Sequence, residues 1–284
     1  MVRNMFNKII KQRKVIVFSL FFITILSGFS IKVFSAQDEV KVIDKEVKAK
    51  PRDEVTFKAR SDNKFLLAAD YYYLGKKIDK NKSSGVIVLH DCRSDRSGYT
   101  ELAKEIANQG MHVLSLDFRG YGGSTATGFS QKTIKKQSKD IISYQNDIAL
   151  MTSYWSDDLA SAYQFLRTKV DKSQGIAIVA SGCASSYAVS LAEKIHLRAM
   201  VLITPEMSYA DKERYKNLID IPTYFISSAH HLTSYNTTHE LFVWNGARNS
   251  KMQIFKGDRQ NRQLISGKLN LITDIPRWLK FNLK

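Results

Sequence analysis

At 284 residues the chain has room for one large domain plus an appendage, and a hydrophobic fraction of 44% excludes wholesale disorder. The formal net charge of +16 calls for anionic neighbours, but no nucleic-acid-binding motif accompanies it, so a nucleic-acid partner is not expected. The histidines give no zinc signature, because His230 and His231 are adjacent and have no spaced Cys or His partners; no metal is expected.

Along the chain, Arg3, Lys8, Lys11, Arg13 and Lys14 come first, then an apolar run over 15–29, with no acidic residue before Asp38. That is a basic n-region followed by an h-region. The run is shorter than the ~20 residues that span a bilayer comfortably, although Ile31, Val33 and Phe34 extend it. Segment 1–36 therefore reads either as a signal peptide cleaved after Ser35 or as a retained membrane anchor. Either topology puts the rest of the chain outside the cytoplasm, in a periplasm or cell envelope, since the positive flank stays inside. Setting aside the six cations of residues 1–35 leaves 37 Lys and Arg against 27 acids. The exported part is thus still basic, which suits anionic lipid headgroups or wall polymers; a merely solubilising surface explains the charge equally well. In an oxidising compartment the isolated pair Cys92 and Cys183 is read first as a disulfide.

Residues 37–53 are charged and lack apolar periodicity, so they form a polar spacer, and the folded domain is expected over 54–284. Strand-like runs at 55–59 and 65–73, joined by Ser61-Asp62-Asn63, predict an antiparallel hairpin. Strands follow at 85–89, 112–118, 175–180, 199–204, 223–228 and 251–256. Between them stand helical patterns: Leu102, Ala103 and Ile106; Leu159, Ala162, Tyr163 and Leu166 behind a Ser156 cap; 184–195; 238–246; and a last helix reaching Trp278 and Leu279. Repeated βα units predict an α/β fold with a mostly parallel sheet covered on both faces. Residues 125–154 show no regular pattern, and Lys132, Lys135, Lys136 and Lys139 read as a solvated face.

Two local patterns sharpen this reading. Val88-Leu89-His90-Asp91 closes one strand, and Leu116-Asp117-Phe118-Arg119-Gly120-Tyr121-Gly122-Gly123-Ser124 closes the next. Ile178-Val179-Ala180-Ser181-Gly182-Cys183-Ala184-Ser185 leads from a strand into a helix, with Ser181 and Ser185 small enough for a tight turn. The chain from about 55 to 284 thereby resembles the α/β-hydrolase superfamily, nearest to small, lidless members of the dienelactone hydrolase type. The resemblance implies that fold without a cap domain, with a nucleophile elbow at the second pattern and no cofactor.

Carried over residue by residue, the resemblance puts Cys183 at the nucleophile position, with Asp91, Cys92 and the amide of Ala184 around the oxyanion loop. Hydrolysis on this fold needs a nucleophile, a histidine base and a carboxylate that orients it. The histidine belongs on the loop after the last strand, where Gln260 or Arg259 stands, and neither accepts a proton near neutral pH. The acid belongs after the penultimate strand, where His230 and His231 stand, and Asp91 replaces a glycine where its charge would oppose an oxyanion. The reading that follows is a noncatalytic hydrolase-like module that binds a small ester-like ligand or an anionic envelope surface, a monomer by default. The alternative is a cysteine hydrolase of small esters or lactones, with Cys183 activated by His230 or His231 and oriented by Glu206. The resemblance also sets Cys92 and Cys183 on facing loops, which implies a bridge between them that would consume the nucleophile.

Overall fold

A computed structural model describes residues 53–62, 64–74 and 83–284. The signal or anchor segment 1–36 and the spacer up to residue 52 lie outside the described residues, while Asp53 already belongs to the first strand. No helix among the described residues is long and apolar enough to cross a membrane.

Strands β1 (Asp53–Lys58), β2 (Leu66–Tyr72), β3 (Gly85–Leu89), β4 (His112–Leu116), β5 (Ile176–Ser181), β6 (Ala199–Ile203), β7 (Thr223–Ser228) and β8 (Lys251–Phe255) make one sheet. Its order is β1-β2-β4-β3-β5-β6-β7-β8. The β1–β2 and β2–β4 pairs are antiparallel and all others parallel, so the expected hairpin starts a mostly parallel sheet. The continuous apolar runs are explained by burial on both faces: Ile87 and Leu89 enter one core while Val86 and Val88 enter the other.

The helices are α1 (Thr100–Asn108), α2 (Gln131–Gln137), α3 (Ile141–Ser153), α4 (Trp155–Arg167), α5 (Ala184–Ala192), α6 (Tyr209–Tyr215), α7 (Leu232–Trp244), α8 (Asn261–Gly267) and α9 (Leu269–Asn282). Leu102 and Ile106 of α1 and Trp278 and Leu279 of α9 fill the core on one face. Trp155 and Leu159 of α4, Val189 of α5 and Leu241 of α7 fill the other. Burying a side chain of this kind contributes about 1.5–3 kcal/mol over leaving it exposed. Only α6 and a short 3₁₀ turn separate β6 from β7, whereas the β4–β5 crossover holds α2, α3 and α4.

Four helices depart from the sequence expectations. Residues 125–154, read as irregular, contain α2 and α3; Met151 is the only fully buried residue of α3, so no apolar stripe marks it. End caps hold these helices instead, with the Asp140 carboxylate accepting from the Ser143 N–H at 2.7 Å. Helix α7 begins at Leu232, six residues before the expected start at 238, because its buried face is built largely from Ser234, Thr237 and Thr238. Helix α4 is preceded by Tyr154, and Ser156 lies inside it rather than capping it.

Buried charge fixes the loops at the ends of β3 and β4. Arg96 pairs with Asp117, with Asp70 at 3.0 Å and with Glu54 at 2.6 Å. The Asp117 carboxylate also accepts from the Arg96 N–H at 2.8 Å and the Gly123 N–H at 2.7 Å. Gly122 has φ +47°, and a Cβ there would collide with that carboxylate. Arg119 donates to Asp158 at 3.0 Å and lies 4.2 Å from the Phe65 ring and 4.3 Å from the Tyr154 ring. Both partners of this pair are sealed from solvent.

Asp158→Ala leaves the Arg119 guanidinium without its counter-charge and is expected to cost about 3–5 kcal/mol. The measurement is a urea melt read as a lower midpoint at unchanged slope. A loss under about 1 kcal/mol would mean that the aromatic faces alone satisfy the cation.

Candidate active site

The turn from β5 into α5 decides which residue occupies the top of the strand. Gly182 takes φ +54°, while Cys183 lies in right-handed helical backbone at φ −63°. The left-handed position is therefore Gly182, flanked two residues away by Ala180 and Ala184, both fully buried. Cys183, expected at the nucleophile position, is the residue that follows this left-handed one. The amide after that position belongs correspondingly to Cys183, not to Ala184. Hydrogen bonds fix the turn, with Gly182 N–H donating to the Ile203 carbonyl at 2.9 Å and Glu206 N–H donating to the Gly182 carbonyl at 3.1 Å.

On the facing loop, Asp91 is buried and its carboxylate is fully engaged. It accepts from the Arg93 N–H at 2.8 Å, the Ser94 hydroxyl at 2.7 Å and the Tyr99 hydroxyl at 2.9 Å. The side chain thus caps its own loop. His90 donates from Nδ1 to the Asp91 carbonyl at 2.7 Å and accepts the Phe118 N–H on Nε2 at 3.0 Å. That pattern requires the neutral ring, and burial lowers the His90 pKa below its ordinary value. Its ring packs edge-on against Phe118 and leans on Tyr121, whose hydroxyl donates to the Cys92 carbonyl at 2.6 Å.

A Cβ added to Gly182 would lie 3.0 Å from Asn261 Oδ1, 3.2 Å from Asn261 Nδ2 and 3.2 Å from Asp91 Cβ. The side chain that the segment after β8 brings against this turn is therefore that of Asn261, the first residue of α8 and the neighbour of Gln260. Asn261 sits at φ +49° and Thr204, just past β6, at φ +43°. The two hold each other: Asn261 N–H donates to Thr204 Oγ1 at 3.0 Å, and that hydroxyl donates to Asn261 Oδ1 at 2.6 Å. Three left-handed residues thus converge beyond the C-terminal ends of β5, β6 and β8, and for the two that are not glycine, Thr204 and Asn261, such backbone is strained, which often marks a functional site. Thr204 and Asn261 escaped the sequence reading. The Ala180-x-Gly182-x-Ala184 spacing was the one available signal for Gly182.

The remaining candidates do not assemble. His230 is exposed, and His231 Nδ1 is 2.7 Å from Ser234 Oγ, in its own helix N-terminus. The Glu206 side chain makes no hydrogen bond or ion pair among the described residues, and neither histidine bonds the Cys183 sulfur. That sulfur is joined to Cys92 in a disulfide, with Cα atoms 6.0 Å apart, as the resemblance implied. The bridge links the residue after Asp91 to the residue after Gly182. A cavity of about 160 Å³ remains beside it, lined by Asp91, Arg93, Ser94, Gln260, Asn261 and Arg262 among others.

No protein-family profile and no curated protein sequence matches this chain. Solved structures do. An esterase from Pyrococcus furiosus is 15% identical with a TM-score of 0.56, over 82% of this chain and 91% of that one. A dienelactone hydrolase from Anabaena variabilis is 13% identical with a TM-score of 0.59, over 82% and 99%. The esterase domain of a Rhodothermus marinus protein is 13% identical with a TM-score of 0.58, over 82% and 100%. With the strand order above, these matches establish the α/β-hydrolase fold.

Two predictions follow from this geometry. The bridge closes a loop of 91 residues, so Cys92→Ser and Cys183→Ser should each lower stability by about 4.6 kcal/mol on the chain-entropy account, measured by urea melts without reductant. Equal stability of wild type with and without reductant would contradict it. The second concerns His90, whose folded pKa is depressed below the ordinary value near 6.5. Between those two values the unfolded chain holds a proton that the folded chain refuses, so its stability contribution is present above about pH 6.5 and lost as pH falls, by up to about 1.4 kcal/mol per unit. Wild type should therefore lose more stability than His90→Gln between pH 7 and pH 5; parallel profiles would remove the assignment.

Proposed function

We propose that this chain is an exported, noncatalytic α/β-hydrolase-fold protein that works by binding. The observation that carries the proposal is Gly182: the left-handed residue just past β5 has no side chain, so a reacting carbonyl would meet no nucleophile there. Around it, Asn261 offers an amide where a base would be required, and an amide takes no proton near neutral pH. The thiol next in sequence is oxidised in the bridge to Cys92, so it supplies no thiolate. Extracytoplasmic placement is supported by the basic and apolar leader of the sequence and by that bridge. The occupants proposed are a small ester-like ligand, for which the 160 Å³ cavity has room for only a few heavy atoms, and an anionic envelope surface drawn by the basic charge.

The test is a panel of p-nitrophenyl esters and a small lactone, assayed with the full chain and with Cys183→Ala, each with and without reductant. Wild type and variant should give the same low background in all conditions. Turnover that appears on reduction and vanishes in Cys183→Ala would replace this proposal with a cysteine hydrolase.

A further inference from the structure

We infer that the α2–α3 excursion of the β4–β5 crossover is a docking surface for anionic lipid headgroups. Helix α3 turns an unusual face to solvent. At 3.6 residues per turn, Ile142, Gln145, Asn146, Ala149, Leu150 and Ser153 share its outward side, all are exposed, and none is charged. Ile141, Ile142 and Leu150 are 65%, 66% and 60% exposed, although burying such side chains is what normally holds a helix to a domain. The only carboxylates on the excursion are Asp140, occupied as the α3 cap, and Asp147.

Beside this apolar face stand Lys132, Lys135, Lys136 and Lys139, all exposed. None forms an ion pair among the described residues, whereas Lys104, Lys212 and Lys216 each pair with a glutamate. Lys136 and Ile142 are six residues apart in sequence, so at most about 20 Å separates their backbones and the cations lie close to the isoleucines. Isoleucine and leucine side chains that enter the headgroup boundary below a ring of lysines match the interfacial mode of membrane binding. Tyr209 and Leu232, 72% and 66% exposed, start the helices that follow β6 and β7, and so stand on the same C-terminal edge of the sheet. A second copy of the chain is the poorer occupant, because a two-fold contact would set the four lysines against their own kind.

The inference deepens the envelope part of the proposed function and is independent of whether ester hydrolysis is lost. Its test uses the full chain in nanodiscs of phosphatidylglycerol or phosphatidylcholine, followed by amide hydrogen exchange of residues 131–153. Exchange there should slow in phosphatidylglycerol and not in phosphatidylcholine. Lys132→Gln, Lys135→Gln, Lys136→Gln and Lys139→Gln should each lower that protection roughly fivefold, and Ile141→Ser with Ile142→Ser should abolish it at unchanged melting temperature. Equal exchange in the two lipids would overturn the inference, as would protection that rises with protein concentration in neutral detergent, which would assign the face to self-association. An ester assay on the same samples reports separately on the catalytic reading.

Discussion

One carboxylate sealed in the core governs how the loops of this molecule stand. Asp117 has no access to water, yet it holds the guanidinium and the backbone N–H of Arg96 and the N–H of Gly123. Through Arg96 the same charge reaches Asp70 on β2 and Glu54 on β1. The loop after β3, the turn after β4 and the antiparallel edge are thereby one electrostatic unit. A buried charge that lost its partners would cost several kcal/mol, so none of these loops can drift alone.

That unit explains how the loop scaffold is held without any contribution from the proposed site's side chains. The energy that shapes the β3 and β5 loops comes from buried ion pairs, backbone hydrogen bonds and aromatic packing around His90, Phe118 and Trp155. None of it passes through a nucleophile. The side chain at position 182 can therefore be absent, and the carboxylate at 91 can serve as a loop cap, while the backbone path is kept. The bridge from Cys92 to Cys183 joins the two loops covalently.

Much of this was legible in the sequence. Continuous apolar strands bounded by turn residues gave the parallel sheet, and the two strand-end patterns gave the fold and the facing cysteines. The register of the turn was not legible, because Ala180 with Ala184 and Ser181 with Ser185 satisfy the same steric demand. What settles it is the positive φ of Gly182, which glycine adopts at no steric cost. Asn261 was hidden beside Gln260 for a similar reason: its role rests on a left-handed backbone and a clasp with Thr204, fifty-seven residues away in sequence. Helix α3 left no periodic trace because it buries almost nothing.

The bridge has a topological effect of its own. Cys92 and Cys183 close a covalent ring that encloses α1, β4, α2, α3, α4 and β5. The exposed link at Lys139 and Asp140, between two helices, offers a protease a site that lies inside that ring. A single cut there opens the circle without dividing the molecule, so the nicked chain still migrates as one species until a thiol is added.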